Sequence, residues 1–157
     1  TSKENNIINV DAISEELGFV GTPNKIEADI LKKIVKANEI PIIAPLGLNS
    51  ENQVYNVNAD DISTFVASSL NARRLVIISD VAGVLNKDNN LISEINSIKA
   101  KEMIKNGEIS GGMIPKINNA INIADKVKGT VIIDGRVMHS ILHELLSDKG
   151  SGTLIRK

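Results

Sequence analysis

The 157-residue sequence contains no cysteine. That removes disulfides, thiolate metal sites and thiol nucleophiles together. Aromatic residues make up only 2% of the chain, too few to build a stacking platform for bases. The net charge of -1 gives no excess of positive groups to attract DNA or RNA phosphates. No apolar run approaches the roughly 20 residues of a membrane span, and no signal peptide is visible. The lack of cysteine fits a reducing cytosol, so a cytoplasmic protein with neither nucleic-acid nor membrane partner is expected. The G-x-x-x-x-G-K-[ST] pattern of a Walker P-loop does not occur. No serine sits in a G-x-S-x-G elbow, which disfavours acyl transfer. His139 and His143 have the i, i+4 spacing of a zinc pair. They lack the H-E-x-x-H glutamate and a third ligand, so a capping or surface role is the better reading and no metal site is assigned.

What is present is ordinary for a globular protein: 42% hydrophobic and 24% charged residues. The length suits one domain over 1–157 with a substantial core. Apolar periodicity predicts helices over 26–37, 60–70, 97–106 and 138–146, with the longest over 112–127. Continuous β-branched runs predict buried strands at Pro41–Pro45, Leu75–Ile78, Val131–Ile133 and Thr153–Ile155, the second covered on both faces. Ile7–Val10 and Phe19–Gly21 could form a hairpin within residues 1–25. Alternating strands and helices argue an α/β fold, a three-layer α/β/α domain with a mostly parallel sheet. Ligands of such sheets bind at the strand ends.

Three stretches could carry chemistry. Gly111-Gly-Met-Ile-Pro-Lys116 places two glycines, a proline and a lysine at a helix start. Glycine permits close approach of a ligand, proline suits the first turn, and exposed helix-start N–H groups attract anions. With Glu108, Ile109 and Ser110 this reads as a phosphate site; the plainer alternative is a Ser110 cap beside a solvated lysine. Asp80-Val81-Ala82-Gly83-Val84-Leu85 leaves a buried strand, so Asp80 could meet a ribose hydroxyl or a metal-bound water. The alternative is an ordinary strand exit. In Asn56-Val-Asn-Ala-Asp60, Asn56 and Asn58 alternate as in a strand and Asp60 opens a helix. A polar-ligand site and a simple turn with an Asp60 N-cap both fit.

In this order, together with Ile-Ile-Asp-Gly-Arg-Val at 132–137 and Gly152-Thr-Leu-Ile155, these stretches resemble the C-terminal, ATP-binding part of the acetylglutamate kinases, within the amino-acid kinase family. The resemblance runs over nearly the whole chain. It implies phosphorylation of the side-chain carboxylate of N-acetyl-L-glutamate by ATP with Mg²⁺, a step of arginine biosynthesis. By motif, Asn56 would hold the amino-acid substrate, and Asp60 would orient the catalytic lysines. Lys116 would neutralise the transferring phosphoryl group. Asp80 to Leu85 and Glu108 to Ser110 would bound the nucleotide pocket. Asp61 and Asn71 depart from the usual pattern. The family's N-terminal lobe, with a second catalytic lysine, is expected to be absent, since the chain opens at Thr1 and reads as a fragment. The isolated chain is therefore expected to be inactive, and the full-length protein a homo-oligomer. Another acceptor, or a non-catalytic nucleotide-binding regulatory module, remains as an alternative.

Overall fold

The computed structural model describes residues 7–157. Where the sequence reads as one domain, the contacts gather into two compact units divided after Leu70. The first contains β1 (Ile8–Ala12), β2 (Val20–Ile26), α1 (Ala28–Lys36), β3 (Leu46–Leu48), β4 (Val54–Val57) and α2 (Ala59–Ser69). β1 and β2 pair antiparallel, as the hairpin expectation requires. The four strands close on themselves in the order β1-β2-β4-β3 around Ile8, Val10, Val57 and Ile62. α1 buries Leu31 and leaves Lys32, Lys33 and Lys36 in water, the division its periodicity predicts.

One strand expectation fails here. Pro41–Pro45 forms no strand, and Ile40 and Ile42 are 89% and 96% exposed. Proline has no N–H to give a ladder, and pairing begins only at Leu46, directly after Pro45.

The second unit holds β5 (Leu75–Ser79), β6 (Glu94–Asn96), α3 (Ser97–Lys105), α4 (Met113–Asn122), β7 (Thr130–Asp134), α5 (Ser140–Leu146) and β8 (Thr153–Arg156). Its sheet has the order β5-β7-β8-β6. β5–β7 and β6–β8 are parallel, while β7–β8 is antiparallel. The unit is thus α/β, as expected, with a mostly parallel sheet. α3 and α4 bury Ala100, Met103, Ile117 and Ala120 against Ile77, Ile95, Ile132 and Ile155. Side chains alternate faces along a strand, so Val131 and Ile133 point to the sheet's other side, and α5 packs on β7.

Three boundaries differ from the sequence reading. β5 is not covered on both faces, because Ile78 is 57% exposed; β7 is the strand buried throughout. The helix expected over 112–127 ends at Asn122. There the amides of Ala124 and Lys126 turn to carbonyls three residues back, which tightens and stops the helix. It is one residue shorter than α2. α5 starts at Ser140 rather than Met138, since His139 takes the left-handed conformation, φ 60°. α5 also buries its polar face: Glu144 accepts from Arg74 and from the Ser151 amide, both at 3.0 Å.

Thr153, fully buried at the start of β8, holds this unit together across sequence. Its hydroxyl accepts from the Val84 amide at 2.8 Å and donates to the Ile92 carbonyl at 2.6 Å. Thr153→Val should strand a buried donor and an acceptor and cost about 2–4 kcal/mol. Thr153→Ser, which keeps both bonds and loses one methyl, should cost about 1 kcal/mol. Urea unfolding of the two variants measures the gap; equal midpoints would contradict the role given to the hydroxyl.

Candidate functional site

The site of the second unit follows from one pairing. β5 and β7 run parallel with Ser79 opposite Asp134, so both chains leave the sheet at the same edge. The Gly135 amide donates to the Ser79 carbonyl at 2.8 Å and ties the two exits together. The start of α4 closes the third side. Between them lies a cleft of about 760 Å³ lined by Asp80, Val81, Ser110, Gly112, Lys116 and Arg136, among others. Two segments far apart in sequence, 80–85 and 108–116, thus reach one place.

Within the first of these segments the residues divide by role. Asp80 is exposed, and its carboxylate accepts from the Ser79 hydroxyl at 3.3 Å. Val81 and Ala82 are exposed beside it. Gly83 turns the chain inward at φ 135°, where a Cβ would lie 2.5 Å from the Thr153 hydroxyl oxygen. Val84 is buried, its amide bonded to Thr153 and its carbonyl to the Ile92 amide. Leu85 forms a lone antiparallel bridge with Leu91.

The second segment is built the same way. The amides of Glu108 and Ile109 both donate to the Met103 carbonyl at the end of α3. The Ile109 side chain enters the core, and the half-buried Glu108 pairs with Lys87 at 3.5 Å, linking the two segments. Val84 and Ile109 therefore anchor the pocket walls from within the core instead of presenting side chains to the cleft. Ser110 reaches the cleft itself.

At the helix start, two of the donors expected for an anion are already committed. The amides of Met113 and Ile114 turn back to the carbonyls of Ser110 and Gly111, at 3.3 and 3.2 Å, and Pro115 has none. The glycines remain informative. Gly111 has φ 57°, a conformation that favours glycine. Gly112 does not: its φ is -65°, and a Cβ there would meet open space. Among the described residues nothing lies where a Cβ at 112 would stand, so packing does not account for a glycine at that position.

Asn56 and Asp60 belong to the first unit. Asn56 is exposed on β4, its amide donating to the Phe19 carbonyl at 2.8 Å. Asn58 does not share a ligand face with it. Its side-chain oxygen caps α2, accepting from the amides of Asp60 and Asp61 at 2.9 and 3.3 Å. Asp60 is accordingly inside the first turn rather than the cap, and its carbonyl accepts from the hydroxyls of Ser63 and Thr64. Among the described residues, no group of three His, Cys, Asp or Glu could hold a metal ion, and no helix is long and apolar enough to cross a membrane.

Arg136 is the cleft residue the sequence reading assigned no role. Its Nε and Nη2 donate to the two carboxylate oxygens of Asp134 at 2.9 and 2.8 Å, and its amide donates to Oδ1 at 2.9 Å. These hydrogen bonds, side chain first and backbone second, hold the Asp134 carboxyl at a pKa of about 2; burial opposes them. The signal was available: Asp-Gly-Arg directly after a buried strand is a turn at the edge where such sheets bind ligands.

A glycine-lined helix start, a lysine one turn in and a fixed guanidinium suit a polyanion such as a nucleotide tail. The comparisons with known proteins agree in class. The model of the amino acid kinase family matches residues 3–134. The acetylglutamate kinase of Pelagibacter ubique is 59% identical over 158 aligned residues, covering all of this chain and 55% of its own length. That of Parvibaculum lavamentivorans is 46% identical over 90% of this chain and 47% of its own. The chain thus spans about half the length of these relatives. The crystal structure of N-acetylglutamate synthase from Neisseria gonorrhoeae, complexed with coenzyme A and L-arginine, superposes with a TM-score of 0.89. It does so over 97% of this chain and 37% of that one, at 23% identity, a likeness of fold alone.

The Asp134–Arg136 pair yields a pH prediction. The folded pKa of about 2 lies below the ordinary 3.8. The pair's contribution to stability is therefore full above pH 3.8 and is lost as pH falls towards 2. Arg136→Met should bring the Asp134 carboxyl back up towards the ordinary value, read by carboxyl-carbon NMR titration. An unmoved titration would remove Arg136 as the cause.

Proposed function

Because the chain belongs to the amino acid kinase family, we propose that it is the nucleotide-binding part of an acetylglutamate kinase. The reaction moves the γ-phosphoryl group of ATP to the side-chain carboxylate of N-acetyl-L-glutamate in cytoplasmic arginine biosynthesis. The observation that carries this reading is Gly112, a glycine with helical φ and open space at its Cβ. It stands beside Lys116 in a cleft closed by Asp80 and Arg136. The acceptor is taken from the identity to the two bacterial kinases. Homo-oligomerisation of the whole protein belongs to the same proposal.

Phosphoryl transfer asks little covalent help of a protein; positioning and positive charge at the equatorial oxygens do most of the work. The Gly111-Gly112 backbone lets the phosphates approach, and the Lys116 ammonium meets the charge that builds on the transferring group. The side chains of Asp80 and Val81 border the nucleotide, while Val84 and Ile109 keep the loops that carry them in place. For the first unit taken by itself, Asn56 offers its side-chain amide to the amino-acid substrate, and Asp60 keeps the orienting role that the resemblance gives it. Mg²⁺ carried by the nucleotide screens its phosphates from the attacking carboxylate. The cleft suits an ion that arrives this way, because magnesium in such sites takes one or two carboxylates plus phosphate oxygens. Asp80 is the carboxylate available for it.

Two outcomes test the reading. Gly112→Ala should leave stability within about 1 kcal/mol, since its backbone is helical and its surroundings open, yet weaken Mg·ATP binding in calorimetry. Unchanged affinity would return Gly112 to a purely structural role. The chain alone should bind Mg·ATP without turning over N-acetyl-L-glutamate. Joined to the remaining part of the Pelagibacter relative, it should turn over. Lys116→Ala in that chimera should then lower kcat by about 10²–10³-fold with a smaller change in KM. A chimera that phosphorylates a different acceptor, or none, overturns the acceptor assignment.

A further inference from the structure

Arg136 is the best-positioned cation of the cleft, and neither the sequence motifs nor the likeness to other kinases gives it a task. Three features set it apart. It sits on a turn that cannot drift, because its own amide bonds to Asp134 and the preceding Gly135 amide bonds to Ser79. Its guanidinium is gripped through Nε and Nη2 by the Asp134 carboxylate, whose side chain is only 11% exposed. Asp134 belongs to β7, the strand buried along its whole length. Yet the Arg136 side chain remains 69% exposed and lines the same cleft as Ser110, Gly112 and Lys116.

A guanidinium has five N–H donors in a planar fork. Asp134 takes two of them. The other three lie on the part of the fork that Asp134 does not cover. Pairing the nearly buried Asp134 carboxylate is a structural duty, but that duty does not require the guanidinium to face the cleft. The brace does something else: it freezes a long side chain beforehand, so that a ligand does not have to meet that entropy cost on binding. Planar, fixed donors match phosphate oxygens in particular.

Resting on the nucleotide reading above, we propose that Arg136 is a phosphate-recognition residue, its remaining donors taking oxygens of the nucleotide tail, and that Asp134 is its positioning residue. Recognition at this corner then depends on the phosphate tail and is indifferent to the base. Arg136 and Lys116 flank the tail as two cations of different kind, a planar guanidinium and a compact ammonium.

The test is calorimetric titration of the 157-residue chain with the nonhydrolysable analogue AMP-PNP and with adenosine, both with Mg²⁺ present. Arg136→Gln should weaken AMP-PNP at least 10-fold and leave adenosine within twofold, which also shows that the variant is folded. Arg136→Lys keeps the charge and a link to Asp134 but loses the planar fork, and should weaken AMP-PNP several-fold. Asp134→Asn should weaken AMP-PNP and again spare adenosine, a split that a merely structural role would not produce. If Arg136→Gln binds AMP-PNP as the parent chain does, the proposal is overturned while the nucleotide reading stands. Equal losses for AMP-PNP and adenosine also overturn it, since they report general damage. A parent chain that binds neither compound removes the nucleotide reading and the proposal with it.

Discussion

The parallel pairing of β5 with β7 is the constraint from which the second unit's chemistry follows. Parallel strands cannot be joined by a tight hairpin, so the chain between them must cross over through other elements. Here the crossover carries β6, α3 and α4, which places the start of α4 near the strand ends. Because Ser79 and Asp134 stand opposite each other, the segments after both strands emerge at one edge. A slip of one residue would exchange the two faces of β7 and misfit the side chains packed on both sides of the sheet. The complete burial of β7 makes that slip costly, and the position of the cleft is fixed by core packing rather than by the loops that line it.

The loops in turn are anchored by buried polar and apolar groups outside the cleft. Val84 and Ile109 enter the same core as Ile77 and Ile132. Thr153 satisfies the Val84 amide and the Ile92 carbonyl together. A hydroxyl that meets two buried backbone groups does what secondary structure does elsewhere, in a segment where no ladder is available. Val81 and Gly112 face the cleft without entering the core, so core packing leaves the choice of residue there open.

Much of this was legible in the sequence, for identifiable reasons. β7 and β8 are short β-branched runs with turn residues at their ends, and α1 and α3 have clean apolar periodicity, so composition and packing point the same way. The segments around Asp80, Ser110 and Lys116 were legible because glycine and proline mark where backbone geometry is special. Pro41–Pro45 misled because an apolar run says nothing of whether a partner strand exists. The length of α4 misled because Ile121, Ile123 and Ala124 keep helical spacing after the hydrogen bonds have shifted to tighter turns. Asn58 stayed open between a ligand and a turn residue because an asparagine that caps a helix and one that binds substrate look alike until the hydrogen bonds are seen. Arg136, quoted in the sequence only as part of 132–137, was given no role because its bonds to Asp134, two positions earlier, are seen only in the folded turn.

In the proposed reaction the two cations of the cleft would divide the electrostatic work according to their side chains. A lysine is a compact charge on a flexible stem of four carbons, and it can follow a group that moves during reaction. Lys116 stands one turn into α4 and lines the cleft. Arg136 has no such freedom: the Asp134 carboxylate fixes its plane and offsets its charge, leaving directional donors rather than a strong field. The offset matters, because a nucleotide tail held too tightly by full charges binds substrate and product alike and gains no rate from doing so. A braced, partly neutralised guanidinium can set the register of the tail at modest affinity. Under the proposed function, the change in charge during transfer would then be met by the ammonium, where stronger interaction in the transition state is what accelerates a reaction.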